Sequence, residues 1–189
     1  LEEIFDRLGV TAKRLEWRAL AEPAGLSDYA VICFGDVDAS DLPDGALAAL
    51  ERWVRLGGVL IAYNFSGADE LFGNEEPQTV AQGEDEFRIT GYFELAGRGL
   101  TRGIHSPIHP GQRLIAISPL RPVRPRKSAA LARYCAVTKG GALNGGNARP
   151  TERALITARR LGLGWAFYFG FDIAQTMWCL QQGRPVDRD

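Results

Sequence analysis

Between Leu42 and Gly67 the hydrophobic period of the chain changes twice. Leu47, Leu50, Trp53 and Val54 recur at helical spacing, with Glu51, Arg52 and Arg55 mostly off that stripe, which predicts an amphipathic helix. Ser40 or Asp41 can cap it, and Pro43 suits its first turn. Gly57-Gly58 releases the helix, and Val59 to Tyr63 is an uninterrupted apolar run of the kind found in buried strands. Tyr29 to Phe34 is a second such run, expected to be a parallel strand covered on both faces and ending at Gly35-Asp36. Strand, helix, glycine pair and strand make a crossover unit of two parallel strands.

The remaining elements are shorter. Leu1 to Leu8 has helical spacing and Gly9 stops it; Thr11 to Trp17 is expected to be an edge strand. Leu71-Phe72-Gly73 reads as one helical turn, and Glu75 to Glu86 as an exposed acidic loop. Phe87 to Thr90, Tyr92 to Leu95, Arg113 to Ile117 and Ala129 to Val137 are expected strands, and the glycine- and asparagine-rich Lys139 to Pro150 a mobile loop. Ala154 to Ala158 and Trp165 to Phe169 have hairpin spacing. Asp172 caps a last helix, with Gln175 at the capping-box position and Ile173, Met177 and Leu180 on one face. The pattern predicts a three-layer α/β sandwich, flavodoxin-like, with a mostly parallel sheet and an irregular glycine-rich insertion before the last strands.

At 189 residues and 46% apolar, the chain suits one domain, 1–189, with a sizeable core. A net charge of −1 argues against nucleic acid or an anionic membrane as partner. The one basic run, Arg121 to Lys127, lacks interleaved aromatics and reads as a solvated proline-rich connection rather than a phosphate-binding patch. No apolar run reaches the roughly 20 residues that span a bilayer, so a soluble protein is expected. Cys33, Cys135 and Cys179 have no CxxC spacing and are expected to be buried free thiols, which argues against a zinc site and weakly favours the cytoplasm, the compartment being otherwise unassigned. The chain starts as if already inside a helix, so it is expected to be cut from a longer multidomain protein.

Three stretches carry a resemblance. They are Leu26 to Asp36 (LSDYAVICFGD), Leu42 to Gly67 with its W-V-x-x-G-G, strand and turn, and Ala154 to Asp172 (ALITARRLGLGWAFYFGFD). In their order they resemble the class I glutamine amidotransferase-like superfamily, in the branch that includes ThuA-like proteins and the trimerisation domain of some bacterial β-galactosidases. The resemblance covers about half the chain and implies that a first strand is missing just before Leu1. Working amidotransferases of the family place a cysteine on a strained strand-to-helix turn within G-x-C-x-G, where backbone N–H groups meet the oxyanion. Here that turn is Ala62 to Ser66, with Asn64 at the nucleophile position, and an amide cannot attack a carbonyl as a thiolate does. The family's histidine and glutamate follow the late strand. Phe169 to Ile173 has no imidazole there.

The candidate ligand-binding crevice comprises Asp36, Asn64, Ser66 and Asp172, with no catalytic residue, metal ligand or cofactor assigned. Asp36, Asp38 and Asp41 follow the first strand and could meet a cation or sugar hydroxyls, although Asp41 and Asp172 read first as helix caps. Ser66 with His105 or His109 would imitate a serine hydrolase, but the flanking glycine pattern is wrong. The two histidines are four apart, but prolines exclude the helix that would converge them on a metal. The expected function is a non-catalytic accessory or oligomerisation module, implied by the resemblance to sit in bacterial carbohydrate metabolism. Its expected partners are other domains of its own chain, further copies of itself, or a carbohydrate. The alternatives are a divergent hydrolase or sugar-modifying enzyme, or a small-ligand sensor, using the crevice near Asp36, Asn64 and Ser66.

Overall fold

The computed structural model describes residues 2–7, 9–21, 23–81, 89–96, 113–137 and 148–182. Of the expected strand at Phe87 to Thr90, Phe87 and Arg88 fall outside these residues and Ile89 and Thr90 are not in a strand. His105, His109 and residues 139–147 of the expected mobile loop fall outside them, and its end, Ala148 to Pro150, is strand.

A mixed seven-stranded sheet forms the centre of the α/β architecture. Its strands are β1 (Val31–Gly35), β2 (Val59–Tyr63), β4 (Gly91–Leu95), β5 (Leu114–Ala116), β7 (Ala129–Val137), β8 (Ala148–Leu161) and β9 (Gly164–Phe169), in the order β1-β2-β9-β8-β7-β4-β5. Strands β1, β2 and β9 are parallel, and the rest join antiparallel. The hairpin spacing between Ala154 and Phe169 accounts for the change, because a tight turn at Gly162 can only reverse the chain. A small two-stranded ribbon pairs β3 (Asn74–Glu75) with β6 (Arg124–Pro125). The helices are α1 (Glu2–Arg7), α2 (Ala46–Arg55), α3 (Asp69–Phe72) and α4 (Ile173–Gln182).

One core lies between the parallel strands and α2. Ile32 and Phe34, Leu60 and Ala62, and Ala166 and Tyr168 point to one face and meet Ala46, Ala49, Leu50, Trp53 and Val54. A second core, beneath the antiparallel half, gathers Leu120, Leu155, Ile156, Phe93 and Phe171. Gly164 joins the hairpin to α2. A Cβ there would lie 2.1 Å from the Val54 carbonyl oxygen and 2.2 Å from that of Gly58.

Four local expectations are corrected. Thr11 to Trp17 forms no strand: only Leu15 packs on the core, and Trp17 opens a 3-10 turn and stacks on Phe34. Neither Ser40 nor Asp41 caps α2. Asp38 instead caps a short 3-10 turn, Ala39–Asp41, and α2 starts after Gly45, which is left-handed at φ 80°. Strand β1 is at the sheet edge and buries one face only, leaving Val31 exposed. Helix α4 buries Thr176 and Cys179, whereas Met177, Trp178 and Leu180 are exposed. Hydrogen bonding set its rotation, because the Thr176 hydroxyl accepts from the Ile117 N–H at 3.1 Å. Asp172 does cap this helix, accepting from the Gln175 N–H at 2.9 Å. Cys33, Cys135 and Cys179 form no disulfide; Cys135 and Cys179 are buried and Cys33 is half-buried.

Candidate functional site

The carboxyl ends of β1, β2 and β9 lie side by side, and the chain leaves two of them in the same unusual conformation. Gly35 is in register with Tyr63, and Tyr63 with Phe169. The next residues of the first two strands, Asp36 and Asn64, are both left-handed, at φ 53° and 48°. Asp and Asn tolerate this region better than other residues with a side chain. The Asp36 N–H donates to the Tyr63 carbonyl at 3.1 Å, and the Asn64 N–H to the Phe169 carbonyl at 2.9 Å. The turn is therefore pinned on both sides.

Phe65 anchors the turn from below. Its fully buried ring stands 5.5 Å from that of Phe34 and 5.8 Å from that of Phe72, which in turn is 5.5 Å from Tyr168. Burying such a ring is worth roughly 1.5–3 kcal/mol, which offsets much of the strain above it. Beside Phe65, Arg121 forks onto Asp69 with bonds of 2.8 and 2.6 Å, and donates to the Tyr168 hydroxyl at 3.0 Å. Burial alone would lower the pKa of Arg121; the bonds to Asp69 and Tyr168 more than reverse this and hold the guanidinium charged. The first residue of the basic run is thus a structural bolt under the crevice.

Past the turn, the loops continue the parallel pairing. The Ser66 N–H donates to the Val37 carbonyl at 3.0 Å, and the Ala39 N–H to the Ser66 carbonyl at 2.9 Å. The Ser66 hydroxyl donates to Asp38, whose other oxygen accepts from the Ser40 hydroxyl at 2.6 Å and the Ser40 N–H at 2.9 Å. Bonds from the Ser40 and Ser66 hydroxyls and the Ser40 N–H lower the Asp38 pKa to about 2. The conjugate base of so strong an acid is a poor general base at neutral pH, which makes Asp38 a weak activator of Ser66.

Tyr63 completes the site. Its ring lies across Gly35, where a Cβ would come within 1.9 Å of the phenol oxygen. Burial, then the charges of Asp172 and Asp36, raise its pKa to about 12, so the phenol stays protonated. In the sequence Tyr63 is only the end of a strand, and its place in the site follows from its pairing with Gly35 across the sheet. Of the residues expected in the crevice, the structure places Asp36 and Asn64 together on adjacent strand ends. Ser66 is turned towards Asp38, and Asp172 reaches the group as a helix cap whose charge acts on Tyr63. Asp36 is exposed, and Asn64, Ser66 and Asp172 are half-buried. Cys33, on the same strand, has its thiol pushed up by burial and is no activated nucleophile. Among the described residues no group of three or more His, Cys, Asp or Glu could hold a metal ion, and no helix is long and apolar enough to cross a membrane. The site offers a protonated phenol, an amide and carboxylates, which together can donate to and accept from a polar ligand.

No family model matches the chain, and no curated protein is similar to it in sequence. Solved structures do share its fold. The β-galactosidase from Bacillus circulans sp. alkalophilus matches with a TM-score of 0.54 at 18% identity, over 84% of this chain and 23% of that one. Gan42B, a GH42 β-galactosidase from G. stearothermophilus, matches at 0.51 and 16% identity, over 85% and 23% of the two chains. The cytoplasmic protein STM3548 from Salmonella typhimurium matches at 0.57 and 11% identity, over 95% of this chain and 82% of that one. The chain thus covers about four fifths of the latter protein and about a quarter of the β-galactosidases. At these identities the likeness is one of fold.

Proposed function

We propose that this chain is a non-catalytic, amidotransferase-like accessory domain of a carbohydrate-related protein, serving its assembly rather than its chemistry. The observation that carries this reading is the turn at Asn64. It has a positive φ, as a strained elbow would, and lacks a nucleophile: the amide is none, and the hydroxyl two residues on, Ser66, is bonded to a carboxylate with a pKa of about 2. The fold it shares with a segment of β-galactosidase chains supports the carbohydrate setting by analogy of architecture.

A second reading keeps the crevice as a binding site. The protonated Tyr63 phenol beside Asp36 and Asn64 favours it, because paired donors and acceptors at a strand-end crevice suit sugar hydroxyls. Both readings are tested together. The domain is screened by thermal shift against mono- and oligosaccharides and glutamine, its turnover of chromogenic glycosides is assayed, and its mass is measured by light scattering at micromolar concentration. A stable oligomer with no turnover is the result expected for the accessory domain. A sugar-dependent rise in Tm that disappears in Asn64→Ala or Asp36→Ala adds the binding crevice, by linkage. Turnover that is abolished in those variants, with stability retained, would overturn the non-catalytic reading.

A further inference from the structure

The basic run divides in three dimensions. Arg121 turns inward to Asp69, and Arg124 pairs with Glu76 at 3.1 Å. Arg126 and Lys127 go elsewhere. Both of their N–H groups donate to the Gly73 carbonyl at 2.9 Å, which sets them beside a groove of about 220 Å³. Arg55 of α2 and Arg159 of β8 also line it, with Glu51 and Glu70. Of these four cations, Arg55 is paired with Glu51 and Arg126 stands 3.6 Å from Glu75, which leaves Arg159 and Lys127 without a carboxylate partner among the described residues.

We propose that this groove binds a phosphate dianion, free or as a monoester. Its cations are positioned yet incompletely satisfied. Arg159 is fixed by Nη1, which donates to the Glu70 carbonyl and, at 3.1 Å, to that of Leu71. Its Nε and Nη2 have no partner among the described residues, and neither does the Lys127 ammonium. Arg126 stands 3.6 Å from Glu75, beyond hydrogen-bond distance, while Arg55 is held by Glu51 at 2.6 Å. The groove exists because position 73 is glycine: a Cβ there would lie 2.9 Å from both the Lys127 backbone and the Arg159 stem. Beneath it Asn74 is buried and already bonded, to Thr157 at 3.0 Å and Ser128 at 2.8 Å, so the floor is rigid.

The ligand class follows from size and charge. Two cations without a carboxylate partner, Arg159 and Lys127, beside the exposed Arg126 suit a small dianion better than a single carboxylate, and guanidinium groups match phosphate oxygens in geometry. A nucleic acid fits poorly, because no aromatic side chain lines the groove to stack a base and the chain as a whole carries −1. The groove lies near the start of β9, where Arg159 is paired with Ala166, and away from the crevice at the carboxyl ends of the parallel strands. It is independent of the function proposed above.

The test is isothermal titration of the whole chain with inorganic phosphate and with a hexose 6-phosphate, each matched with sodium chloride of equal ionic strength. Binding of one equivalent is expected, weakening as salt rises from about 50 to about 300 mM. Lys127→Glu and Arg126→Ala should each weaken it about fivefold or more. Both side chains are exposed, so an unchanged Tm in each variant excludes misfolding as the cause. Tighter binding of the ester would identify a phosphorylated sugar as the source, and equal binding free phosphate. Absence of heat beyond the chloride control, or an affinity unchanged in Lys127→Glu, overturns the proposal.

Discussion

Asp36 and Asn64 are neighbours across two parallel strands and both are left-handed, so the crevice floor is built from two strained residues in one row. Strain at a single turn is common, but its repetition on adjacent strands gives the backbone of the site a defined shape before any ligand arrives.

The conformation at position 64 predicts an order of stabilities. Asn64→Gly should be close to neutral, whereas Asn64→Val should cost about 1–2 kcal/mol, because a β-branched side chain resists positive φ. Urea midpoints of the two variants decide it. Equal midpoints would mean that the turn does not hold this conformation in solution.

Asp38 makes the fold sensitive to acid in a defined window. Its pKa falls from an ordinary 3.8 to about 2 in the folded chain, through the Ser40 and Ser66 bonds. A depressed carboxyl stabilises the fold above its unfolded pKa, and that contribution disappears as pH falls through the folded value. The stability difference between the wild-type chain and Asp38→Asn should therefore shrink between about pH 4 and pH 2. Ser66→Ala should move the Asp38 titration, followed by NMR, back up towards 3.8.

Arg121 and Asp69 should behave as a unit. Their side chains are 15% and 22% exposed, so breaking the pair should cost somewhat less than a fully buried one, about 2–3 kcal/mol for Arg121→Ala. The double variant Arg121→Met with Asp69→Leu should be more stable than the sum of the single losses by about 1–2 kcal/mol. A double-mutant cycle by chemical denaturation checks this, and additivity would show that the contact contributes nothing.

Gly164 and Leu163 are adjacent, and their substitutions should have opposite consequences. Gly164→Ala places a methyl against two backbone carbonyls that cannot easily move, and should cost about 2–4 kcal/mol. Leu163→Ala removes an exposed side chain and should stay within about 0.5 kcal/mol. Thermal denaturation of the two variants is sufficient.

The sequence by itself determined the elements whose periodicity is strong. Helix α2, strands β1 and β2, the hairpin of β8 and β9 and the cap at Asp172 were all legible, because each is set by local spacing or by one capping side chain. Other features depend on residues far apart in the chain. Asp38 caps the 3-10 turn Ala39–Asp41 and not α2, which starts after Gly45 without a side-chain cap, and its second oxygen is taken by Ser66, 28 residues later. Helix α4 buries Thr176 instead of Met177 because the Ile117 N–H, 59 residues away, needs an acceptor. Tyr63 joins the site only through the glycine paired with it across the sheet, and Arg126 and Lys127 form a groove only because Gly73 and Arg159 are brought to them. Local periodicity fixes which face a residue shares with its near neighbours; tertiary structure decides which distant groups satisfy its charge and hydrogen bonds, and it is those groups that build the sites.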